Sequence, residues 1–471
     1  MRDEEVPPRA ARGRLRLVRA DAHGRLPRMR RVPTLPLGQA AIWAAVALAF
    51  ADSSIVVLAL PDLLRQLDTS ISGVSLVITI YNAAVVVATP LVVWIVRRGG
   101  ARACLHAGLI LFAAGSAGCA LAGSLALLVA LRVVQALGGA FLLASALPTL
   151  GVRRWSVAAA VGAALGPAIG GLLTEAFDWR AIFAFQAPVA LAALLAGWRA
   201  ARGAGSQPLL RGRGDLRANA ALALLSGALV GALFLVVILV IEVWGLSPAS
   251  AALLVSVLPA TTLAAGPLAR GAQVGSAAAA GALLVAGGLA GVALLPERSL
   301  VWLAVALALV GAGLGIAAPL LSERALETES VERAAWTVAA RHLGLVLGLV
   351  LVAPVLAGGI DRATDRASEA GAGVVLDAPI SPRAKLQLGL DIASTLQAAP
   401  RASVPDFAPS FASARARDSS QAAALTAIEQ RLGDTVRAVL ERGFRASLWI
   451  CVALALLACA PLAWPHRRGS Q

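Results

Sequence analysis

Gly162-Ala-Ala-Leu-Gly166-Pro167-Ala-Ile-Gly170-Gly171 is the stretch that decides how this chain folds. Gly162, Gly166 and Gly170 stand four residues apart, so on a helix they line one groove free of side chains. Pro167 removes a backbone hydrogen bond and crowds the carbonyl four residues back, which bends a helix. In a water-exposed helix each glycine would cost ~1 kcal/mol relative to alanine. In lipid the same glycines let a second helix approach, and a breaker is tolerated because neighbours satisfy the freed groups. The stretch therefore predicts a bent membrane helix packed closely on another. Small-residue packing explains the glycines; it leaves unexplained the fixed offsets of Pro167 and the Gly170-Gly171 pair.

The composition agrees, with 59% apolar and only 14% charged residues among 471. No soluble core could hide that much hydrocarbon, which predicts an all-α polytopic membrane protein. The net charge of +15 could suit nucleic acid, but the arginines fall in short connections between apolar runs, where they set orientation. Lys385 is the single Lys in a chain rich in Ala, Gly and Leu, which reads as a base-composition bias. Cys104, Cys119, Cys451 and Cys459 all lie in apolar runs, without disulfide or metal spacing, and read as packing residues. The four His (23, 106, 342 and 466) are scattered, so neither a metal site nor an embedded enzyme is expected. No cofactor is called for, and the absence of a P-loop pattern argues against ATP drive.

Twelve apolar segments follow one another: 38–60, 71–96, 103–122, 125–150, 155–176, 181–198, 218–241, 249–269, 274–295, 299–321, 335–360 and 446–464. They predict two six-helix bundles, 38–198 and 218–464, joined by a basic cytoplasmic linker, 199–217. Residues 1–37, with ten Arg and four acids, read as a disordered cytoplasmic tail rather than a signal peptide, and 465–471 as a second tail. Met29, just before Arg30 and Arg31, reads as an alternative start. Arg97, Arg98, Arg102, Arg153 and Arg154 then lie inside, with both termini cytoplasmic in a cell inner membrane. A weak echo, Thr89-Pro90-Leu91 and Gly266-Pro267-Leu268, links the halves. Residues 361–445 interrupt the pattern as a long outer loop before the last helix. Within it Leu425, Ile428, Leu432, Val436 and Val439 recur at helical spacing, which predicts one amphipathic helix.

Several stretches resemble the drug–proton antiporter branch of the major facilitator superfamily, which includes QacA-like and EmrB-like exporters. The pattern of Gly162, Gly166, Pro167, Gly170 and Gly171 resembles that branch's fifth-helix antiporter signature. Asp52-Ser-Ser-Ile-Val-Val-Leu-Ala-Leu-Pro61 is similar to its first-helix signature, and Thr79-Ile-Tyr81-Asn82 to its second-helix pattern. Leu131-Arg132-Val-Val-Gln135-Ala-Leu-Gly138 resembles the fourth-helix motif, with Ala136 in place of a usual glycine. Trp179-Arg180 through Pro188 resembles the opening of the sixth helix. Two features depart from the branch. In the cytoplasmic loop motif Arg97, Arg98, Gly100 and Arg102 align, but Arg97 holds the usual Asp position and Val93 the leading Gly. The branch also usually has fourteen helices. The resemblance implies a monomeric, proton-coupled exporter of amphiphilic small molecules or drugs, working by alternating access with protons, substrate and the bilayer as partners. An uptake permease of the same fold and a non-transporting sensor or scaffold are the alternatives, since direction is not written in a fold.

Asp52 lies eight residues before the outer end of its segment, and Arg132 about as deep in a segment entering from outside. Both fall ~10–12 Å deep. An unpaired charge there costs ~2.5–3.5 kcal/mol, which favours pairing or a wet cavity. The resemblance places the first-helix acid near the substrate cavity and gives the fourth-helix Arg influence over proton movement. Asp52 would then carry the proton, tuned by Arg132, with both facing a shared aqueous pocket; a static pair holding two helices together is the bland reading. Gln135, one turn from Arg132, would orient it. Tyr81 and Asn82 would join helices or touch substrate. Glu242 is a weaker candidate for the substrate cavity or a relay, though it and Glu175 read more simply as solvated helix ends; Arg341 and His342 could gate or titrate, though interfacial snorkelling suffices for Arg341.

Overall fold

The computed structural model describes residues 36–198, 213–269, 271–296, 298–326, 330–398 and 405–463. The expectations for the tail before Pro36, for linker residues 199–212 and for the tail 465–471 lie outside them. Nearly all of the described chain is helical. The elements are α1 (Leu37–Ile55), α2 (Leu60–Gln66), α3 (Ile71–Ala120), α4 (Leu125–Ser145), α5 (Leu147–Leu150), α6 (Val152–Ala176), α7 (Arg180–Gly197), α8 (Leu216–Ile238), α9 (Pro248–Val255), α10 (Val257–Ala265), α11 (Val274–Ala293), α12 (Leu300–Leu326), α13 (Val331–Leu376), α14 (Pro382–Ala398), α15 (Ala408–Arg417), α16 (Ala422–Leu457) and α17 (Ala460–Ala463). Short side chains fix the starts: Ser70, Ser124, Asp215, Ser247 and Ser330 each accept a backbone N–H of the first turn of α3, α4, α8, α9 and α13.

Among the described residues ten helical stretches are long and apolar enough to cross a membrane, or eleven with the arms of α6 taken as one bent span. The sequence reading expects twelve. The predicted spans 71–96 and 103–122 form the two arms of α3, interrupted where Gly100 adopts φ 79° and ψ 160°. That backbone favours glycine, and with it the connection shrinks to a single broken turn. A straight 50-residue helix would run ~75 Å, far beyond a ~30 Å hydrocarbon layer, so such a break is required.

The stretch 361–445 differs from an ordinary loop. Helix α13 continues without interruption to Leu376, and the expected amphipathic helix runs straight into the last span as α16. The reason is a continuing apolar stripe. Ala363, Ala367, Gly371 and Val375 of α13 are buried, as are Leu425, Ile428, Leu432 and Val436 of α16, the helix it packs against.

Helix α1 packs on α6 and α7, and α3 on α4 and α7; later in the chain α8 packs on α13 and α16, and α11 on α12 and α16. The two sets meet where α13 touches α3 and α4, and where α6 touches α9, α10 and α12. The most apolar parts of Leu37–Gln66 and Leu216–Val243 are each 83% buried, so α1 and α8 form the centre. Around them Val87, Leu172, Leu195, Leu253 and Val301 point outward and exposed. Apolar side chains spread so widely over an outer surface need lipid against them.

Candidate functional site

Asp52 on α1 and Arg132 on α4 meet, as their depths predict. Arg132 Nη1 lies 2.5 Å from Asp52 Oδ2, and both side chains are 0% exposed. The other carboxylate oxygen, Oδ1, accepts from Gln135 Nε2 at 3.1 Å and from Gln186 Nε2 at 3.0 Å. Arg132 also donates through Nε to the Val77 carbonyl at 3.2 Å and through Nη1 to Gln135 Oε1 at 2.8 Å. Its guanidinium carbon stands 4.3 Å from the centre of the Tyr81 ring. Ser116 completes the cluster, 2.9 Å from Gln135 Nε2 and 3.3 Å from Gln186 Oε1. Gln135 thus bonds both members of the pair. Gln186 and Ser116 are additions that no charge signals in the sequence. These bonds offset much of the pair's desolvation, although Arg132 Nη2 is buried without a hydrogen-bond partner.

The expected shared aqueous pocket does not accompany the pair. The neighbouring cavity, ≈ 40 Å³, is lined by Ser53 and Ser54 but by neither Asp52 nor Arg132. In this conformation the two charges hold α1 and α4 together behind a closed wall. The sequence could not foretell this, because depth fixes only how far a group lies from the surface. Asn82 joins α3 to α1 by accepting from Ser53 Oγ at 2.8 Å, which supports the helix-joining role. Tyr81 stacks on Arg132 on one side and reaches His342 on the other, with ring centres 6.3 Å apart.

The glycine face of α6 lies directly on α1. A Cβ added at Gly162 or Gly170 would run into the carbonyl oxygen of Ala47 or Ile55, and one at Gly166 into the Ser54 hydroxyl. Gly171 faces α9 instead, against Ala252 and the Pro248 carbonyl. The arms Val152–Ala163 and Leu165–Ala176 are bent by 42°. Pro167 explains the bend, since it has no N–H to offer the Ala163 carbonyl. Ser54 supplies the substitute: its Oγ lies 3.3 Å from that carbonyl and 2.9 Å from the Ala51 carbonyl, sharing one proton between them.

Ion pairs link the two sets of helices at both ends. At one end Arg97, in the altered loop motif, meets Glu332 in the first turn of α13 at 2.9 Å. Arg98 and Arg102 stack instead on Trp94 and Trp198, 4.2 and 5.3 Å from their ring centres, and Gly100 supplies the break. At the other end Arg65 meets Glu242 at 3.3 Å, and Glu175 accepts the Ala249 N–H at 3.2 Å. Glu242 and Glu175 are therefore cross-links rather than merely solvated termini. Outside the spans, Asp215 caps α8 and meets Arg324 at 2.5 Å. Burial pushes its carboxyl up, but the Arg324 contact and the N–H groups of Ala218 and Arg217 outweigh that and hold it below the usual value.

Among the described residues no group of three or more His, Cys, Asp or Glu could hold a metal ion. Comparison with protein families matches residues 42–360 to the Major Facilitator Superfamily. The chain belongs to that superfamily. A member is a secondary transporter, not an enzyme, and this one is a multi-pass membrane protein. Among curated relatives it is similar to the putative multidrug resistance protein MdtD of Salmonella dublin, 35% identical over 156 residues, 31% of this chain and 33% of that one. It is similar also to the tetracenomycin C resistance and export protein of Streptomyces glaucescens, 36% identical over 157 residues, 31% and 29% of the two chains. The matches thus span about a third of each relative. Among solved structures, a bacterial homologue of the human lysosomal transporter Spinster aligns over 91% of this chain and 97% of its own, with TM-score 0.57 and 15% identity. The xylose transporter XylE from E. coli aligns over 66% and 89%, with TM-score 0.55 and 15% identity. At these identities the likeness is one of fold.

Proposed function

We propose that this transporter exports amphiphilic small molecules in exchange for protons, by alternating access. The observation that carries the reading is the glycine face of α6 laid on α1 beside the Asp52–Arg132 pair, in the pattern of the antiporter signature. The relatives named for drug resistance and export point the same way. Twelve spans follow if α3 is divided at Gly100 and α6 counted as one, giving two six-helix bundles, 38–198 and 218–464, with 199–217 as a cytoplasmic linker. A repeated contact supports the two-bundle reading: Gly344 and Gly348 of α13 press on the backbone of α8 as the α6 glycines press on α1. The protein would act as a monomer in the inner membrane, with both termini and the Arg97 end cytoplasmic.

In this scheme the linked ends and small centre represent an occluded state. Asp52 is latched by Arg132 here and releases or takes up its proton in a second conformation, where the pair is parted and wetted. Tyr81, touching both Arg132 and the His342 side of the centre, supplies a packing route from substrate to latch. The test uses everted vesicles acidified inside, with a pH-sensitive dye. Amphiphiles of either charge are offered in turn, and those that are transported should release protons with the wild type and not with Asp52→Asn. Release undiminished in Asp52→Asn would leave only the static pair. No release with any compound would favour an uptake permease or a sensor.

A further inference from the structure

The ≈ 40 Å³ cavity lies between α1 and α6 on one side and α8 and α13 on the other, lined by Phe50, Ser53, Ser54, Ser226, Arg341 and His342 among others. No carboxylate lines it. Arg341 lies ten residues into α13, ~15 Å from the helix start. Its guanidinium carbon stands 4.7 Å from the centre of the Phe50 ring on α1, across the junction of the two helix sets. The side chain is partly exposed and lines the cavity at that junction. Among the described residues no Asp or Glu lies within ion-pair distance of it. Asp52, next to the lining residue Ser53 on α1, has both oxygens occupied by Arg132, Gln135 and Gln186. His342 lines the same cavity but presents an acceptor to it. Its Nδ1 lies 2.8 Å from the Val338 carbonyl, which can only accept, so Nδ1 carries the proton and Nε2 is the remaining ring nitrogen.

A cation held inside a membrane protein without a counter-ion marks a place where an anion spends part of its time. An aromatic face attracts a guanidinium but leaves its N–H fork free, and that fork matches a carboxylate in two parallel hydrogen bonds. Ser226 supplies a further hydroxyl, while Leu229, Val230, Leu233 and Leu345 supply an apolar wall. We infer that the transported molecule is an amphiphile bearing a carboxylate or similar anionic group, seated on Arg341 once the walls part. This rests on the reading of the junction between the helix sets as the substrate's place. It narrows that reading from amphiphiles in general to acidic ones.

The test is equilibrium binding to the full chain in lipid nanodiscs, with biphenyl-4-carboxylate and biphenyl-4-yl-trimethylammonium as probes of matched bulk and opposite charge. The wild type should prefer the carboxylate by about ten- to a hundredfold, the range of a charge-assisted contact. Arg341→Gln should remove that preference without weakening the ammonium probe. Arg341→Lys, which keeps charge but loses the fork, should fall between. A wild type that binds both probes alike, prefers the ammonium, or binds neither overturns the proposal, and this comparison needs no variant to fold. Retention of the preference in a monodisperse Arg341→Gln protein overturns it equally. Binding needs no gradient, so the result stands apart from export: flux of the carboxylate without proton release would sink the coupling and leave this assignment intact.

Discussion

At the scale of single residues, the buried pair has to be judged by what removal of each member leaves behind. Arg132→Ala leaves the Asp52 carboxylate with two amide donors and no countercharge, and should destabilise the protein by about 3–5 kcal/mol. Asp52→Asn combined with Arg132→Gln leaves no charge and should cost less than Arg132→Ala alone. Thermal unfolding in detergent checks the order of the variants; equal losses would mean that the pairing contributes nothing beyond packing. The pair was legible before any coordinates because charge in an apolar run is expensive and a helix converts residue number into depth. Gln186 and Ser116 were not legible, since a neutral amide or hydroxyl in a membrane helix raises no comparable cost. Nor was the closed wall around the pair, because access to water depends on conformation and leaves no pattern along the chain.

For the helices as elements, the sharpest consequence concerns α6. Gly162→Ala places a methyl against the Ala47 carbonyl, where backbone on both sides resists movement. It should cost about 1–3 kcal/mol, as overpacking does, and should abolish flux if α6 and α1 must shift past one another. Gly287→Ala on α11 is the control, because a Cβ there meets nothing within 4 Å. Comparison of unfolding temperature and flux for the two variants decides the matter, and equal behaviour would remove the close contact from the mechanism. Helix α8 offers a pH-dependent counterpart at Asp215. Its folded carboxyl titrates below the unfolded value of about 3.9, so the stabilisation is complete above that value and is lost as pH falls through the folded one. Asp215→Asn should therefore unfold more easily than wild type near pH 7, by about 0.5–1 kcal/mol. Unfolding midpoints followed downward from there should converge as the wild-type carboxyl is protonated; a constant gap would place the effect elsewhere. The α6 bend and groove were readable because proline and glycine act locally. The helical continuity of 361–376 and 422–445 was not, because hydropathy reports where lipid lies and says little about where a helix stops.

For the molecule as a whole, the altered loop motif ceases to be a defect once its partner is seen. An arginine where the resemblance leads one to expect an aspartate, and an acid, Glu332, at the end that carries Arg97, Arg98 and Arg102, each look like an exception when taken alone. Together they form Arg97–Glu332, which joins α3 to α13 with the motif residue's charge reversed. Sequence reasoning could not match them, since only the fold brings residues so far apart in the chain to one end of the bundle. If this link helps to close the Arg97 end, its sign should matter only relative to its partner. Arg97→Glu alone and Glu332→Arg alone place like charges together and should each slow efflux of any probe that the wild type exports, by roughly five- to tenfold. The double reversal restores an opposite pair and should recover most of the rate. Initial rates in everted vesicles, taken at two salt concentrations, check this: the single-variant defects should shrink at high salt, because Arg97 is partly exposed and screening reaches it. A double reversal as slow as either single change would mean that Arg97 and Glu332 are merely neighbours, and closure of that end would then rest on helix packing alone.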